Sequence, residues 1–377
     1  MVKHPVVVYG ASGYTGMLIM DWLIDQQVPF TAVARNAKRV QEMMAERVVR
    51  LESATYEIIE AEHNVDALVK AFKGAKVVCN TVGPFVNFGL TAVEAALKAG
   101  CHHIDTTGEQ SYVRAVRDQF GDLYRQAGLL VSPSVAYMYT FAEIAAELAL
   151  ETPGINVLET ATLCRGPRGG ASGVTVGSTA SIFELYRQEA CYLWEKKLVP
   201  HPVGTSANVV DPSFVQPVFS IPWGGTSLPV YFEHDARVHS CSSYVGFYDN
   251  NVMQLVHGLG QKWEAEYKHL PREQQDAVIK GIVDSTTPSM PPRERTTTVR
   301  TVDFAIGRGQ LAAVRATVRG ITAYISTGAL QTAAAIKLID GETNKVGFAS
   351  ASKAFGHRYL LGFLEQRGLA RATVTEL

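Results

Sequence analysis

A glycine-rich turn near the N-terminus constrains the fold of this 377-residue chain more than any other feature. The apolar run Val6–Tyr9 stops at Gly10, and Gly10, Gly13 and Gly16 then follow at intervals of three residues. A short unbroken apolar run is typical of a strand that is buried on both faces. Glycines at these positions allow a tight turn, close approach of the backbone to a pyrophosphate, and close packing of a helix on the strand. The turn therefore predicts a dinucleotide-binding βαβ unit, with the phosphates at the helix N-terminus.

The first third of the chain alternates between short apolar runs and helical patterns. Strands are predicted at residues 6–9, 30–35, 77–82, 103–105 and 129–132, and helices at 16–26, 38–46, 65–72, 90–98 and 111–126. Strands that alternate with helices indicate parallel pairing through βαβ units. The predicted fold class is therefore α/β, with a Rossmann-type doubly wound parallel sheet.

The rest of the chain does not continue this regular alternation of strands and helices. The predicted elements are a strand at 156–164, a glycine-rich segment at 166–173, a helix at 178–196, an irregular connection at 200–235, helices at 254–270 and 272–283, and closing helices at 329–338 and 352–366. The alternating runs 297–306 and 311–326 predict two adjacent antiparallel strands. A mixed α/β domain inserted before the final helices fits residues 136–330.

Composition excludes several classes of protein. Lys and Arg total 35 against 36 for Asp and Glu, so no bulk charge favours nucleic acid or an anionic membrane. The sequence has no long uncharged apolar run that predicts a membrane span, and no cleavage site follows the first apolar stretch. The five cysteines are scattered and form no C-x-x-C pair, so a disulfide framework is not expected and the cytoplasm is the predicted compartment.

The end of the second predicted strand indicates which dinucleotide binds. An NAD site requires an Asp or Glu there for the ribose hydroxyls, and this chain has Arg35, followed by Asn36 and Lys38. A guanidinium suits the 2′-phosphate of NADP. The alternative is an ordinary solvated basic helix start. The sequence favours NADP(H) as the cofactor.

Two more loops follow predicted strands, at the carboxyl edge where parallel sheets bind ligands. In the first, Gly83 allows close approach to the cofactor and Pro84 stiffens the loop; in the second, Asp105 and Thr106 are candidates for the ribose, for the substrate or for a helix cap. The predicted cofactor-binding residues are Gly10, Ser12, Gly13, Tyr14, Thr15, Gly16, Arg35, Asn36, Lys38, Thr81, Val82, Gly83, Pro84, Phe85, Asp105 and Thr106. No metal site is predicted, because the His and Cys residues lack a ligand spacing.

Three blocks of sequence, at residues 10–16, 80–85 and 100–109, resemble the saccharopine dehydrogenase-like NADP-binding family in order and spacing. Residues 172–181 and 348–368 are similar to a turn of its second domain and to its closing helix. Many relatives carry Gly-Phe-Asp-Ser-x-Pro-Ser-Asp after the sixth strand, whereas residues 134–143 here replace the carboxylate and serines with aromatic residues.

This resemblance implies a division of the chain into three parts. Residues 1–135 would form an NADP-binding Rossmann domain and residues 136–330 a mixed α/β domain for substrate binding and dimerisation. Residues 331–377 would form C-terminal helices that pack back on the first domain. The family includes amine dehydrogenases and trans-acting enoyl reductases, so the resemblance implies hydride transfer.

In such chemistry the cofactor carries the hydride, and the protein orients the substrate and supplies a proton. Tyr137 and Tyr139 follow a predicted strand end and are candidate proton donors, with aromatic packing as the alternative. Arg165 and Arg168 are candidates for gripping a carboxylate or phosphate, with a plain surface loop as the alternative. Trp223 represents the aromatic residues of 200–235, which either line an apolar substrate pocket or fill the core.

The sequence therefore favours an NADPH-dependent oxidoreductase that reduces an activated C=C bond of a hydrophobic or acyl substrate. The first alternative is an amine or imine dehydrogenase of the saccharopine dehydrogenase type. The second is a non-catalytic NADP-binding interaction protein. The expected partners are a small-molecule substrate and a second copy of the chain, without nucleic acid or a membrane span.

Overall fold

The computed structural model describes residues 4–166, 175–286, 290–296 and 299–377. The chain divides into two compact units. The first unit consists of Met1–Thr107, Tyr112–Thr140 and Tyr324–Gly368, and the second of Gly108–Ser111, Phe141–Ala323 and Leu369–Leu377.

Strands and helices are numbered here in chain order. The strands are β1 (Val6–Tyr9), β2 (Phe30–Ala34), β3 (Tyr56–Glu60), β4 (Val77–Asn80), β5 (His102–Asp105), β6 (Leu130–Ser132), β7 (Val157–Arg165), β8 (Cys191–Trp194), β9 (Lys197–Pro200), β10 (Ala207–Val209), β11 (Val218–Ile221), β12 (Ser240–Phe247), β13 (Arg300–Arg308), β14 (Ala313–Ile321), β15 (Gly347–Phe348) and β16 (Ala370–Glu376). The helices are α1 (Tyr14–Asp25), α2 (Ala37–Arg47), α3 (Val65–Phe72), α4 (Phe85–Ala99), α5 (Gln110–Gln126), α6 (Tyr137–Leu150), α7 (Val176–Glu184), α8 (Leu228–Phe232), α9 (Asn250–Lys262), α10 (Arg272–Thr286), α11 (Tyr324–Ile339), α12 (Ala351–Phe355) and α13 (His357–Glu365).

The first unit contains a seven-stranded sheet in the order β15-β6-β5-β4-β1-β2-β3. Every pairing in it is parallel. All four residues of β1 are buried, as expected for a strand covered on both faces. The strand order reverses beside β1, which is the switch point where doubly wound sheets bind ligands. The predicted Rossmann-type fold class is confirmed.

Local sequence explains where several helices of the first unit begin and end. The Asn36 side chain accepts a hydrogen bond from the Arg39 amide and caps α2, and Asn64 caps α3 in the same way. Gly100 ends α4 with a left-handed backbone at φ +74°. Helix α11 belongs to this unit and packs on α1, where the Trp22 indole donates to the Ile325 carbonyl at 3.0 Å.

The second unit contains a nine-stranded mixed sheet, whose main path is β10-β11-β12-β7-β13-β14-β16. Strands β7 and β12 are parallel, and β13 pairs antiparallel with both β7 and β14. The predicted antiparallel pair near residues 300 and 315 is therefore confirmed. The hydrophobic core of the second unit includes Leu163, Val218 and Phe304.

Several local predictions for the second half were wrong. The helix predicted at 178–196 ends at Glu184, and Cys191–Trp194 is a strand paired with β9 and β12. The connection predicted as irregular at 200–235 contains two strands and a short helix. The last residues, Ala370–Glu376, form a strand on β14 rather than a helical end.

Within the described ranges, no helix has both the length and the apolar character that crossing a bilayer requires.

Candidate functional site

The glycine turn of the first unit is built around the carbonyl and amide groups of neighbouring strands. The Gly10 amide donates to the Val33 carbonyl at 3.0 Å, and Gly10 has a left-handed backbone at φ +90°. A Cβ on Gly10 would lie 2.5 Å from the Thr81 hydroxyl oxygen, and one on Gly16 would lie 2.6 Å from the Gly10 carbonyl oxygen. No larger side chain fits at either position, so both glycines are required by the turn itself.

Gly13 is less crowded than Gly10 and Gly16. A Cβ there would meet one atom within 4 Å, the Gly10 carbonyl oxygen at 3.1 Å. Gly13 is also the N-cap of α1, which has no side-chain cap and no acidic residue in its first turn. The amides and positive dipole end of α1 therefore suit an anion. The turn fits the pyrophosphate of a dinucleotide.

Three predicted residues flank this turn. Ser12 and Thr15 are half-buried beside the glycines. Tyr14 is buried, and its ring packs edge-on against Tyr324 with a centroid distance of 5.2 Å. Tyr14 thus contributes to packing between α1 and α11.

The polar side chains that follow β2 differ in their surroundings: some are exposed to solvent, and one caps a helix. Arg35 and Lys38 are exposed, and Lys38 lies 3.9 Å from Glu42. The Asn36 oxygen accepts from the Arg39 amide at 2.8 Å, so this predicted cofactor residue serves as a helix cap. The two cations therefore remain as the predicted phosphate ligands in this region.

Glu60 is a residue of this region that sequence reasoning missed. It ends β3, beside Ala34 at the end of β2, and its carboxylate accepts from the Ala37 amide at 2.9 Å. An acidic residue is thus present beside the end of β2, although it is supplied by the neighbouring strand. Parallel register between β2 and β3 was the signal that would have indicated it, but β3 was not predicted.

The loop after β4 lies directly against the glycine turn. The Thr81 hydroxyl donates to the carbonyls of Tyr9 and Gly10 at 3.0 and 3.3 Å. The Asn80 side chain accepts from the Val82 amide at 2.9 Å and shapes the loop. Residues 81–84 are half-buried, and Phe85 is buried where α4 begins. The structure therefore brings two of the predicted cofactor-binding segments together.

Asp105 is engaged within the first unit. One carboxylate oxygen accepts from the amides of Thr107 and Ser134 at 3.0 and 3.1 Å. The other accepts from the Tyr112 hydroxyl at 2.9 Å, and the residue is completely buried. These contacts tie the end of β5 to the segments around it, whereas Thr106 is half-buried.

The two candidate tyrosines lie in the first turn of α6. Tyr137 is buried, and its amide donates to the Thr327 hydroxyl oxygen at 3.1 Å. Tyr139 is half-buried. Helix α6 itself was not predicted.

In the second unit, arginines share one face of the mixed sheet. Arg165 ends β7, and cross-strand register places Arg315, Arg319 and Arg371 on the same side. We call these four residues the arginine face. Arg319 lies 3.8 Å from Asp211, and Tyr248 donates to Asp211 at 2.5 Å. Arg168, the other predicted substrate residue of this region, lies outside the described residues.

Trp223 lies in an unusual left-handed turn of the second unit. The φ angles of Trp223, Gly224, Gly225 and Thr226 are 45°, 66°, 84° and 53°. Such angles are costly for Trp and for β-branched Thr. The buried hydroxyls of Thr226 and Ser227 have no hydrogen-bond partner. Strain together with unsatisfied hydroxyls makes this turn a candidate ligand contact, and Thr226 and Ser227 are its members that the sequence did not indicate.

The aromatic residues around this turn contribute to the core. Trp223 is buried with its ring 6.4 Å from Phe247, Phe232 is 1% exposed, and Phe214 packs on Tyr248 at 4.6 Å. These side chains therefore pack inside the second unit.

Metal chemistry finds no support in the described part of the chain. No group of three or more His, Cys, Asp or Glu there is arranged to hold a metal ion. His103 lies 3.9 Å from Asp105, and burial lowers the pKa of His103 to about 3. His103 is therefore a neutral interior side chain.

Comparison with known proteins agrees with this site. Residues 6–131 match the saccharopine dehydrogenase NADP binding domain. The yeast saccharopine dehydrogenase (L-Glu forming) from Saccharomyces cerevisiae has a similar fold over 99% of this chain and 100% of its own, with a TM-score of 0.63 and 11% identity. The resemblance seen in the sequence is confirmed, and the class it defines is that of chains with a saccharopine dehydrogenase-type NADP(H)-binding domain.

Residues 140–376 match a family of unknown function (DUF5938). The chain belongs to this family, and its first unit carries a saccharopine dehydrogenase-type NADP(H)-binding domain.

Curated relatives match part of the chain. A lipid droplet localized protein of Caenorhabditis elegans is 27% identical over 138 residues, which cover 35% of this chain and 32% of the relative. A trans-acting enoyl reductase of Mycobacterium leprae is 30% identical over 115 residues, which cover 30% of this chain and 27% of the relative. The aligned part is thus about a third or less of each relative's length.

Proposed function

We propose that this protein is an NADPH-dependent reductase that acts on an activated C=C bond of a hydrophobic or acyl substrate. The observation that supports the cofactor assignment is the start of α1 at Gly13, which has no side-chain cap and no acidic residue in its first turn. The name of the mycobacterial relative, a trans-acting enoyl reductase, supports the choice of a C=C bond. When bound, NADPH supplies the hydride.

The chain's own residues then have three tasks. Gly13 and the start of α1 hold the pyrophosphate, and Arg35 with Lys38 holds the 2′-phosphate. Residues 81–84 and Thr106 line the path of the cofactor at the carboxyl edge of the sheet. Tyr137 or Tyr139 donates the proton that completes the reduction.

The choice of NADP over NAD depends on two opposing charges. Arg35 favours a 2′-phosphate, whereas Glu60, which holds the start of α2, repels one. Fluorescence titration with NADPH and NADH measures the preference directly. We expect tighter binding of NADPH, and a clear preference for NADH would contradict the assignment.

The arginine face favours a second candidate function, an amine or imine dehydrogenase. Arg319 lies directly opposite Arg371 in the sheet, and like charges in that position are destabilising unless anions lie near them. Asp211, 3.8 Å from Arg319, supplies one negative charge to the arginine face, and a substrate with carboxylates would supply more. The aromatic side chains near Trp223 pack in the core of the second unit. They therefore give less support for an apolar substrate pocket than the sequence indicated.

One assay separates these functions. NADPH oxidation is measured with enones, enoyl thioesters and imines at matched concentrations. We expect turnover with an enone or enoyl thioester. Turnover of imines alone would establish the second candidate, and no turnover with any substrate class would favour the non-catalytic NADP-binding protein.

We also propose that the second unit binds substrate and mediates a homodimer, and that the protein acts in the cytoplasm. All five cysteines are buried and none forms a disulfide, which suits a reducing compartment. Light scattering after size-exclusion chromatography measures the mass in solution, and a monomer at micromolar concentration would contradict the dimer.

A further inference from the structure

His63 is a histidine near the cofactor turn to which no role has been assigned above. It follows β3 in the first unit, and its Nδ1 lies 2.6 Å from the hydroxyl oxygen of Tyr9, the residue that ends β1. Its Nε2 is buried and has no hydrogen-bond partner. When the Tyr9 hydroxyl donates to Nδ1, a neutral imidazole carries its hydrogen on Nε2. In that tautomer the pair presents an N–H donor that has no acceptor.

The charge state of this pair agrees with that arrangement. Burial, and then the Arg35 charge, lower the pKa of His63 below its ordinary value. Burial raises the pKa of Tyr9 to about 12, against the opposing effect of Arg35. Both groups are thus neutral near pH 7, and Arg35 is close enough to act on each of them.

The surroundings of His63 are suited to a flat ring. Phe88, in the first turn of α4, has its ring 5.2 Å from the imidazole and nearly perpendicular to it. Phe88 is 40% exposed, which makes it one of the larger apolar side chains open to solvent. Val82 is half-buried in the loop after β4 and packs on the same core cluster as Tyr9. An apolar wall and a hydrogen-bond donor thus lie beside the end of β2.

A purely structural histidine would be arranged differently. His102 is an example, since its Nδ1 accepts from the Leu130 amide at 2.9 Å. His103 also lacks partners, but it is completely enclosed, so a ligand has no route to it. His63 is half-buried at the ligand-binding edge of the sheet. An unpaired buried donor is destabilising, and a ligand acceptor would remove that cost.

We propose that the Nε2–H of His63 donates a hydrogen bond to a ring nitrogen of the cofactor's adenine, and that Phe88 forms the apolar wall against which the base packs. A purine supplies both flat apolar faces and ring-nitrogen acceptors. Because Nε2 is covered in this structure, a side chain at the edge must rotate to admit the base, and the exposed Phe88 is suited to that motion. This inference rests on the proposed cofactor site and extends it: Arg35 recognises the 2′-phosphate and His63 recognises the base.

The two roles separate in a binding experiment. NADPH and NADH are titrated by fluorescence against wild type, His63→Phe and Arg35→Ala. The base is common to both cofactors, so His63→Phe should raise both Kd values by the same factor, about fivefold to tenfold. Arg35→Ala should raise the Kd of NADPH alone. Glu62→Gln, at the exposed residue next to His63, is the matched control and should change neither.

Unchanged Kd values for both cofactors in folded His63→Phe would overturn the inference, and so would a loss confined to NADPH. If that variant fails to fold, the inference can be tested with the wild-type protein alone. Binding of 5′-AMP, which lacks the 2′-phosphate and nicotinamide, should shift the ¹⁵N resonance of His63 Nε2. A resonance that stays fixed at saturating AMP would also overturn it. The cofactor site has a separate test, because Gly13→Asp should abolish NADPH binding whatever His63 does.

Discussion

The two units of this chain each contain a large sheet, but they place their candidate functional groups differently. In the first unit, the candidate ligand groups follow the ends of parallel strands, as Gly10, Arg35 and Thr81 do. In the second, the arginine face is assembled from β7, β14 and β16, which lie far apart in the sequence. A parallel sheet gathers its loops at one edge, whereas an antiparallel sheet distributes side chains over a face. The first kind of site is visible in a sequence and the second is not.

The strongest test of this contrast is the glycine turn. Gly13→Asp places a carboxylate where the pyrophosphate is proposed to lie, and we expect NADPH affinity to fall more than a hundredfold in a folded protein. The measurement is NADPH fluorescence titration, with circular dichroism to verify the fold. Gly362→Ala is the control, because a Cβ on Gly362 meets no atom within 4 Å, so binding should be unchanged. Normal NADPH binding by Gly13→Asp would show that the turn is not the phosphate site.

The next effect concerns the charges beside β2. Arg35→Ala removes a cation from the proposed 2′-phosphate site, and we expect NADPH affinity to fall about tenfold to a hundredfold with NADH affinity unchanged. Glu60→Gln removes the repelling carboxylate, so NADPH affinity should rise severalfold. Calorimetric titration of both cofactors gives these ratios.

Arg39→Ala, in α2 four residues after Arg35, is the matched control and should leave the binding of both cofactors unchanged. If Arg35→Ala weakened NADH and NADPH equally, the arginine would not be reading the 2′-phosphate.

In the second unit, a buried hydroxyl that is hydrogen-bonded can be compared with one that has no hydrogen-bond partner. The Thr162 hydroxyl donates to the Asp303 carboxylate at 2.7 Å, so Thr162→Val should lower the free energy of unfolding by about 1–3 kcal/mol. The Ser227 hydroxyl has no partner, so Ser227→Ala should be neutral or raise that free energy by up to about 1 kcal/mol. Urea denaturation measures both. A large loss of stability in Ser227→Ala would mean that the hydroxyl is structural and not reserved for a ligand.

The smallest effect is a pH dependence near the arginine face. Burial opposes ionisation of Asp211, but hydrogen bonds from Tyr248 and Ser213 and the charge of Arg319 hold its pKa below the ordinary value. A depressed pKa contributes stability that is present above the unfolded pKa of about 3.9 and is lost as the pH falls through the folded value. Tyr248→Phe should therefore lower stability by about 1 kcal/mol at pH 7 and by less at pH 3.

Urea denaturation of wild type and Tyr248→Phe at both pH values provides this check. An equal loss at pH 7 and pH 3 would indicate that the Tyr248 hydroxyl acts without the Asp211 charge.

The site residues and strands that sequence reasoning missed were missed for a common physical reason. Glu60 ends β3 and His63 follows it; this strand was not predicted, and the relevance of both residues depends on its parallel register with β2. Cys191–Trp194 was assigned to a helix, although pairing with β12 holds it extended. The closing strand at Ala370–Glu376 exists because β14 provides an edge for it. In each case a partner distant in the sequence decides the conformation.

What the sequence alone determined is the cofactor-binding turn and the class of sheet that carries it. Three glycines after an apolar strand permit few backbone arrangements, and alternating strands and helices leave parallel pairing as the natural outcome. The tertiary structure decided which polar groups are already engaged. It shows Asp105 paired within the first unit, Asn36 used as a cap, and the imidazole of His63 left with an unpaired nitrogen. Hydrogen-bond partners lie in distant segments, so only the folded chain shows which groups remain for a ligand.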